Sequence, residues 1–172
     1  SVDGIDVTGL DSDDVRTLIR SRLNTKFTIG VLGSKELLNV DCSYTYVSPV
    51  FSRLEKTEAG YVKIDNFEAG SGQDAVDAIE SLLDQGATAL VIDLRGNAGG
   101  LASEATVLLD YLLPNCDLFC TVGKDGKKDM VKSDSVCLNL PTVVLVNTGT
   151  YSEAEVFAAV MQEQGWATIM GE

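Results

Sequence analysis

Ser152 lies within the stretch VVLVNTGTYSEAEVFAAV, at the point where a run of aliphatic residues gives way to a helical pattern. A serine at such a turn has two uses. Its oxygen can accept a backbone N–H and cap the helix, and Ser152-Glu153-Ala154-Glu155 has the spacing of a capping box. Ser71-Gly72-Gln73-Asp74 has a related shape and also opens a helical segment. Alternatively the hydroxyl can attack a carbonyl, helped by the free N–H groups and positive dipole of the helix N-terminus. A hydroxyl becomes a useful nucleophile only when a base removes its proton. The chain contains no histidine and no lysine after Ser152, so carboxylates and earlier lysines are the candidate bases within it.

The second constellation is VIDLRGNAGGLASEA, in which Gly96, Gly99 and Gly100 separate an apolar run from another helical pattern. Backbone amides exposed in such a turn can cradle an anion. No Gly-Lys-Ser/Thr follows, and the spacing is not that of a dinucleotide fingerprint. The plainer reading is a tight crossover turn with Arg95 paired to Asp93 or another nearby acid. If the two turns leave neighbouring parallel strands, the amides and the serine meet at one sheet edge.

The elements that must position them are legible in part. GLDSDDVRTLIRSRL reads as a helix capped by Asp11 or Ser12, with Val15, Leu18, Ile19 and Leu23 as its apolar stripe. KFTIGVLG alternates like a strand ending at Gly33, a candidate small-domain boundary, and ELLNVDCSYTYV and GYVKIDNF follow as strand-like pieces. From residue 71 helices and strands alternate. One helix carries Val76, Ile79, Leu82 and Leu83 inward, the next Leu101, Ala105, Leu108, Leu109 and Leu112. ALVIDL and TVVLVN read as strands buried on both faces of a parallel sheet, and Asp125-Gly126 as the tip of a hairpin. The expected class is α/β with crossover units.

With 26 acidic against 13 basic residues the chain carries a formal charge of −13, which repels nucleic acid and anionic membranes and excludes both as partners. No apolar run approaches the ~20 residues of a membrane span, and none reads as a signal peptide. Cys42, Cys116, Cys120 and Cys137 lack metal-ligand spacing, so neither zinc nor any other metal is expected; Cys116 and Cys120 are read as either a pair or buried thiols.

DLRGNAGG resembles the D-L-R-x-N-x-G-G signature of the carboxyl-terminal processing peptidases, or tail-specific proteases. VVLVNTGTYSEAEVFAAVMQEQGWATIMGE is similar to that family's nucleophile block, GYVKIDNF to its G-Y-I-x-I-x-x-F strand, and residues 1–33 to the last half of its PDZ domain. The resemblance implies a crotonase-like protease core over residues 34–172 that needs no cofactor. It implies Ser152 as nucleophile and an oxyanion hole from the backbone N–H groups of Glu153 and of Gly99 or Gly100. Asp93, Arg95, Asn97 and Glu155 would support the site, with Tyr151 at the substrate. The family base is a lysine, which would lie beyond Glu172, so the chain reads as a piece of a longer protein and is expected to be inactive alone. Substrates would be proteins with exposed C-terminal tails, bound as an added strand beside the first helix. The location would be extracytoplasmic and bacterial, and a second copy of the chain is a further candidate partner. Two alternatives stand beside this reading: a non-catalytic peptide-binding scaffold in which Ser152 only caps, and a crotonase-like acyl-transfer enzyme.

Overall fold

A computed structural model of the chain describes residues 1–22, 25–41, 46–134 and 136–172. Leu23 of the expected first stripe and Cys42 lie outside the described residues. The chain divides into two units, Ser1–Val47 and Ser48–Glu172. The expected division after Gly33 falls inside the first unit, because the strand beyond it pairs with the strand before it.

The first unit contains helix α1 (Ser12–Arg20) and an antiparallel pair, β1 (Lys26–Gly30) and β2 (Leu37–Asp41). Asp11 caps α1, its carboxylate accepting the N–H of Asp14 at 2.9 Å. Val15, Leu18 and Ile19 are half-buried along its inner stripe.

The second unit is built on a five-stranded sheet in the order β3–β4–β5–β8–β9. Its strands are β3 (Val50–Leu54), β4 (Ala59–Ile64), β5 (Ala89–Asp93), β8 (Thr142–Val146) and β9 (Thr168–Gly171). Only β3–β4 is antiparallel; the other three pairs are parallel. The crossovers run through α2 (Ser71–Asp84), α3 (Ala102–Leu112) and α4 (Glu153–Glu163), and a hairpin of β6 (Asp117–Val122) and β7 (Lys128–Lys132) precedes β8. That hairpin turns at Gly126, as its Asp-Gly signal predicts. Cys116 and Cys120 are free thiols, Cys116 half-buried and Cys120 exposed. Four residues along an extended chain separate them by roughly 13 Å, too far for a disulfide.

Period-two alternation puts Val62 and Ile64, Leu90 and Ile92, and Val144 on one face, where they join one core with Ile79, Leu82, Leu108, Leu109 and Phe157 of the three helices. Each such fully buried side chain contributes about 1.5–3 kcal/mol. The opposite face is only half covered at Val91 and Val143, so β5 and β8 are not buried on both sides as the apolar runs suggested. Leu101 also departs from its expected inward position: it precedes α3 in an extended conformation and is 48% exposed.

That second face carries a polar lock at the C-terminal end of β5. Asp93 is fully buried and accepts the hydroxyl proton of Tyr61 at 2.6 Å, two guanidinium N–H groups of Arg95 at 2.9 and 2.7 Å, and the Arg95 amide at 2.9 Å. Arg53 stacks on the Tyr61 ring at 3.9 Å. Burial pushes the Asp93 carboxyl up, but the hydrogen bonds from Arg95 and Tyr61 outweigh it and hold the group at about 2, below its ordinary 3.8. A carboxyl held below its unfolded value stabilises the fold above the unfolded pKa and loses that contribution as pH falls through the folded one. Urea unfolding between pH 4 and pH 2 should therefore show the wild type losing about 2 kcal/mol that Asp93→Asn does not lose across the same window. Parallel curves for the two proteins would place the acid lability elsewhere.

Candidate active site

Two loops leave the C-terminal ends of β5 and β8, and side chains tie them together. Thr150 Oγ1 donates to the carbonyl of Leu94 at 2.9 Å and accepts the amide of Asn147 at 3.0 Å. Asn147 Oδ1 in turn accepts the amides of Gly96 at 2.9 Å and Gly149 at 3.0 Å. The hub is Asn97, which is fully buried. Its Nδ2 donates to the carbonyl of Ile64 at the end of β4 (3.0 Å), its Oδ1 accepts the amide of Gly99 (2.8 Å), and its backbone carbonyl accepts the amide of Tyr151 (2.9 Å). One asparagine thus fixes three strand ends relative to each other.

The glycines of this loop are required for two different reasons. Gly99 has φ +91°, and a Cβ there would lie 2.7 Å from Ser152 Cβ and 3.0 Å from the amide nitrogen of Glu153. Gly100 has φ +147°, and a Cβ there would meet the carbonyl oxygen of Phe67 at 2.3 Å. Phe67 clamps this stretch from outside the sheet: its amide donates to Gly99 O at 2.9 Å and its carbonyl accepts from Leu101 N at 2.7 Å. The loop backbone therefore presses directly against the serine turn. Of its two candidate amides, that of Gly99 is already committed to Asn97, whereas that of Gly100 points at the Glu153 carboxylate, 3.4 Å away.

Ser152 itself is exposed and sits immediately before α4. Its backbone, at φ +55° and ψ −124°, lies in the region that non-glycine residues rarely enter and that costs of order 1–3 kcal/mol. An ordinary capping residue adopts extended dihedrals instead. Ser152 and Glu155 nevertheless have the capping-box arrangement, with Glu155 Oε2 accepting the Ser152 amide at 2.8 Å. The serine hydroxyl sends its proton to Glu153 Oε2 at 2.5 Å. That bond holds the Glu153 carboxyl below the usual glutamate range, against the opposing effect of burial, and the N–H groups of Glu153 and Gly100 add to it. Ser71, the similar motif, does not cap α2: Gly70 takes the capping position, and the Ser71 hydroxyl is buried without a partner.

The structure thus brings Ser152, Glu153, Glu155, Asn97, Gly99 and Gly100 together. The hydrogen bonds of Asp93 and Arg95 go to each other and to Tyr61, at the root of the glycine loop. The Tyr151 side chain is 65% exposed beside the serine. Asn147, Thr150 and Phe67 were missed as site residues. The polar pair offered only an ordinary turn signal, and Phe67 acts through its backbone, which leaves no mark in residue type. Among the described residues no group of three or more His, Cys, Asp or Glu is placed to hold a metal ion, and no helix is long and apolar enough to cross a membrane.

Comparison with known proteins shows the family. The family model described as Peptidase family S41 matches residues 58–172, a span that includes both loops and α4. The carboxy-terminal processing protease CtpA of Bacillus subtilis is 32% identical over 177 residues, covering 99% of this chain and 38% of that protein. A carboxyl-terminal-processing protease of Synechocystis is 29% identical over 181 residues, covering 100% of this chain and 42% of that one. Among solved structures, a photosystem II D1 C-terminal processing protease aligns with a TM-score of 0.66 at 26% identity, over 100% of this chain and 50% of that chain. The chain therefore spans half or less of the length of these relatives. The family match runs through the buried asparagine, the glycine loop and the strained serine, and the chain belongs to peptidase family S41.

Proposed function

We propose that this chain is the nucleophile-bearing part of a serine endopeptidase that acts on proteins with exposed C-terminal tails. The observation that carries the reading is Ser152: exposed, held in strained backbone, and pressed against a glycine loop whose Gly100 amide faces the neighbouring Glu153 carboxylate. Oγ attacks the scissile carbonyl, a base takes its proton, and the proton passes to the departing amine as the acyl-enzyme forms. Water then hydrolyses the ester. The developing oxyanion is held by the N–H groups of Glu153, at the start of α4, and Gly100. Gly99 serves differently, by allowing the loop to touch the serine. The base is a lysine contributed from outside these 172 residues, kept neutral by burial. Asp93, Arg95, Asn97 and Glu155 hold the two turns, and Tyr151 lines the approach of substrate.

In this reading Ser1–Val47 belongs to a PDZ-like domain and α1 borders the strand-addition site for the tail. Ser48–Glu172 is a crotonase-like core. An extracytoplasmic location and assembly with a second copy belong to the same proposal. Similar C-terminal processing proteases come from bacteria and from chloroplasts, which supports a bacterial origin without fixing the compartment. The capping box at Ser152 favours one other reading, a peptide-binding scaffold in which the serine only starts a helix.

The two readings separate cleanly. A longer version of the protein carrying the segment that follows Glu172 should cleave an unstructured-tail substrate, and Ser152→Ala should abolish that cleavage. The 172-residue chain alone should cleave nothing. Ser152→Ala retaining full cleavage, or turnover by the 172-residue chain, would sink the proposed mechanism. Gly99→Ala should displace the serine turn and lower kcat/KM about 100-fold with far-UV circular dichroism unchanged. An effect below threefold would detach the glycine loop from catalysis.

A further inference from the structure

The residue after the nucleophile is an acid, and its side chain does not point into solvent along α4. Both acids of the first turn suit the positive end of the helix, but they do different things. Glu155 reaches back to the Ser152 amide. Glu153 folds sideways, and one of its carboxylate oxygens takes the Ser152 hydroxyl proton at 2.5 Å and the Gly100 amide at 3.4 Å. Its own backbone N–H also faces the carboxylate. These three donors are the nucleophile and the two amides that would receive the oxyanion in the mechanism above. The carboxylate is an anion of the right size and charge for the place where a tetrahedral intermediate develops its negative oxygen.

We propose that the Glu153 carboxylate is a resident occupant of the oxyanion hole, closing the site of the unliganded protein until substrate displaces it. The inference rests on the nucleophile reading of Ser152 and adds a regulatory contact to it. While Glu153 is in place, the Oγ proton is donated to a carboxylate and is not available to an incoming lysine. Two negative oxygens cannot share two amides, so attack requires the Glu153 side chain to rotate outward. Glu153 does not serve as the base. A carboxylate already held by a hydroxyl and two amides is a weaker proton acceptor than a free one, and it stands where the oxyanion must go.

The first measurement uses the 172-residue chain, and neither measurement needs turnover. In ¹⁵N-resolved NMR spectra the Gly100 amide should titrate with a midpoint below the ordinary glutamate range, and Glu153→Gln should remove that titration. A Gly100 amide indifferent to Glu153 overturns the proposal. In the longer protein that supplies the base, phenylboronic acid then probes the hole itself: Oγ bonds to boron, its proton goes to that base, and a boronate oxygen takes the two amides. Glu153→Ala should bind this probe at least tenfold more tightly than wild type, and Glu153→Gln should fall between them. Ser152→Ala should not bind it. Wild-type binding equal to or tighter than that of Glu153→Ala overturns the resident-occupant role. Boronate binding to none of the proteins overturns the nucleophile reading, and the occupant role with it. A titrating Gly100 amide in that case still marks the failure as that of Ser152 rather than of the Glu153 contact.

Discussion

The site depends on one buried amide. Asn97 is surrounded by protein on all sides, so each of its polar atoms must find a partner or cost about 1–3 kcal/mol. It finds them on three separate strand ends: Ile64 after β4, its own loop after β5, and Tyr151 after β8. The Tyr151 link is made by the backbone carbonyl; the other two need a side chain with a donor and an acceptor in one rigid plane at that reach. An aspartate would set a carboxylate oxygen against the carbonyl of Ile64, and a glutamine would overshoot it. Hydrophobic packing places the sheet and helices to within a side chain. The Asn97 bonds then align two loops that share no strand pairing.

Given that alignment, the strain at Ser152 becomes affordable. The positive-φ backbone of the serine is maintained because everything around it is fixed. Ala154 and Phe157 anchor the first turns of α4 in the core. Phe157 packs near Phe67, with ring centroids 6.2 Å apart, and Phe67 in turn clamps Gly99 and Leu101 through its backbone. The apolar contact beneath the site and the polar contacts within it therefore converge on the same few residues. The Asp93 lock acts one step further back, at the root of the loop, on the face of the sheet away from the core.

Much of this was legible in the sequence where a residue's chemistry and its role coincide. The apolar runs of β5 and β8, the stripes of α2 and α3, the Asp-Gly hairpin and the paired loops all follow from periodicity and turn chemistry. Legibility ended where position depended on something distant in the chain. β9 is four residues long and gains its identity only from pairing with β8. The division of the chain moved from Gly33 to Val47 because β2 pairs backwards with β1. Leu101 fits the stripe of α3, yet its register places it ahead of the helix. The choice between Gly99 and Gly100 as amide donor could not be made from two adjacent glycines. The fold separates the two: Asn97 takes the Gly99 amide, and the Gly100 amide faces Glu153.

The bonds that assemble the site span long stretches of chain. Asn97 to Ile64 crosses 33 residues, and Thr150 to Leu94 crosses 56. Contacts of such separation form late, after the loops between them have been closed. The helices and hairpins can organise early from local contacts, but the strained serine and the glycine loop meet only once β4, β5 and β8 lie side by side. A nascent or partly unfolded chain thus has a serine but no site. Whatever chemistry Ser152 performs is thus a property of the finished fold alone, and no intermediate that lacks the three-strand alignment can share it.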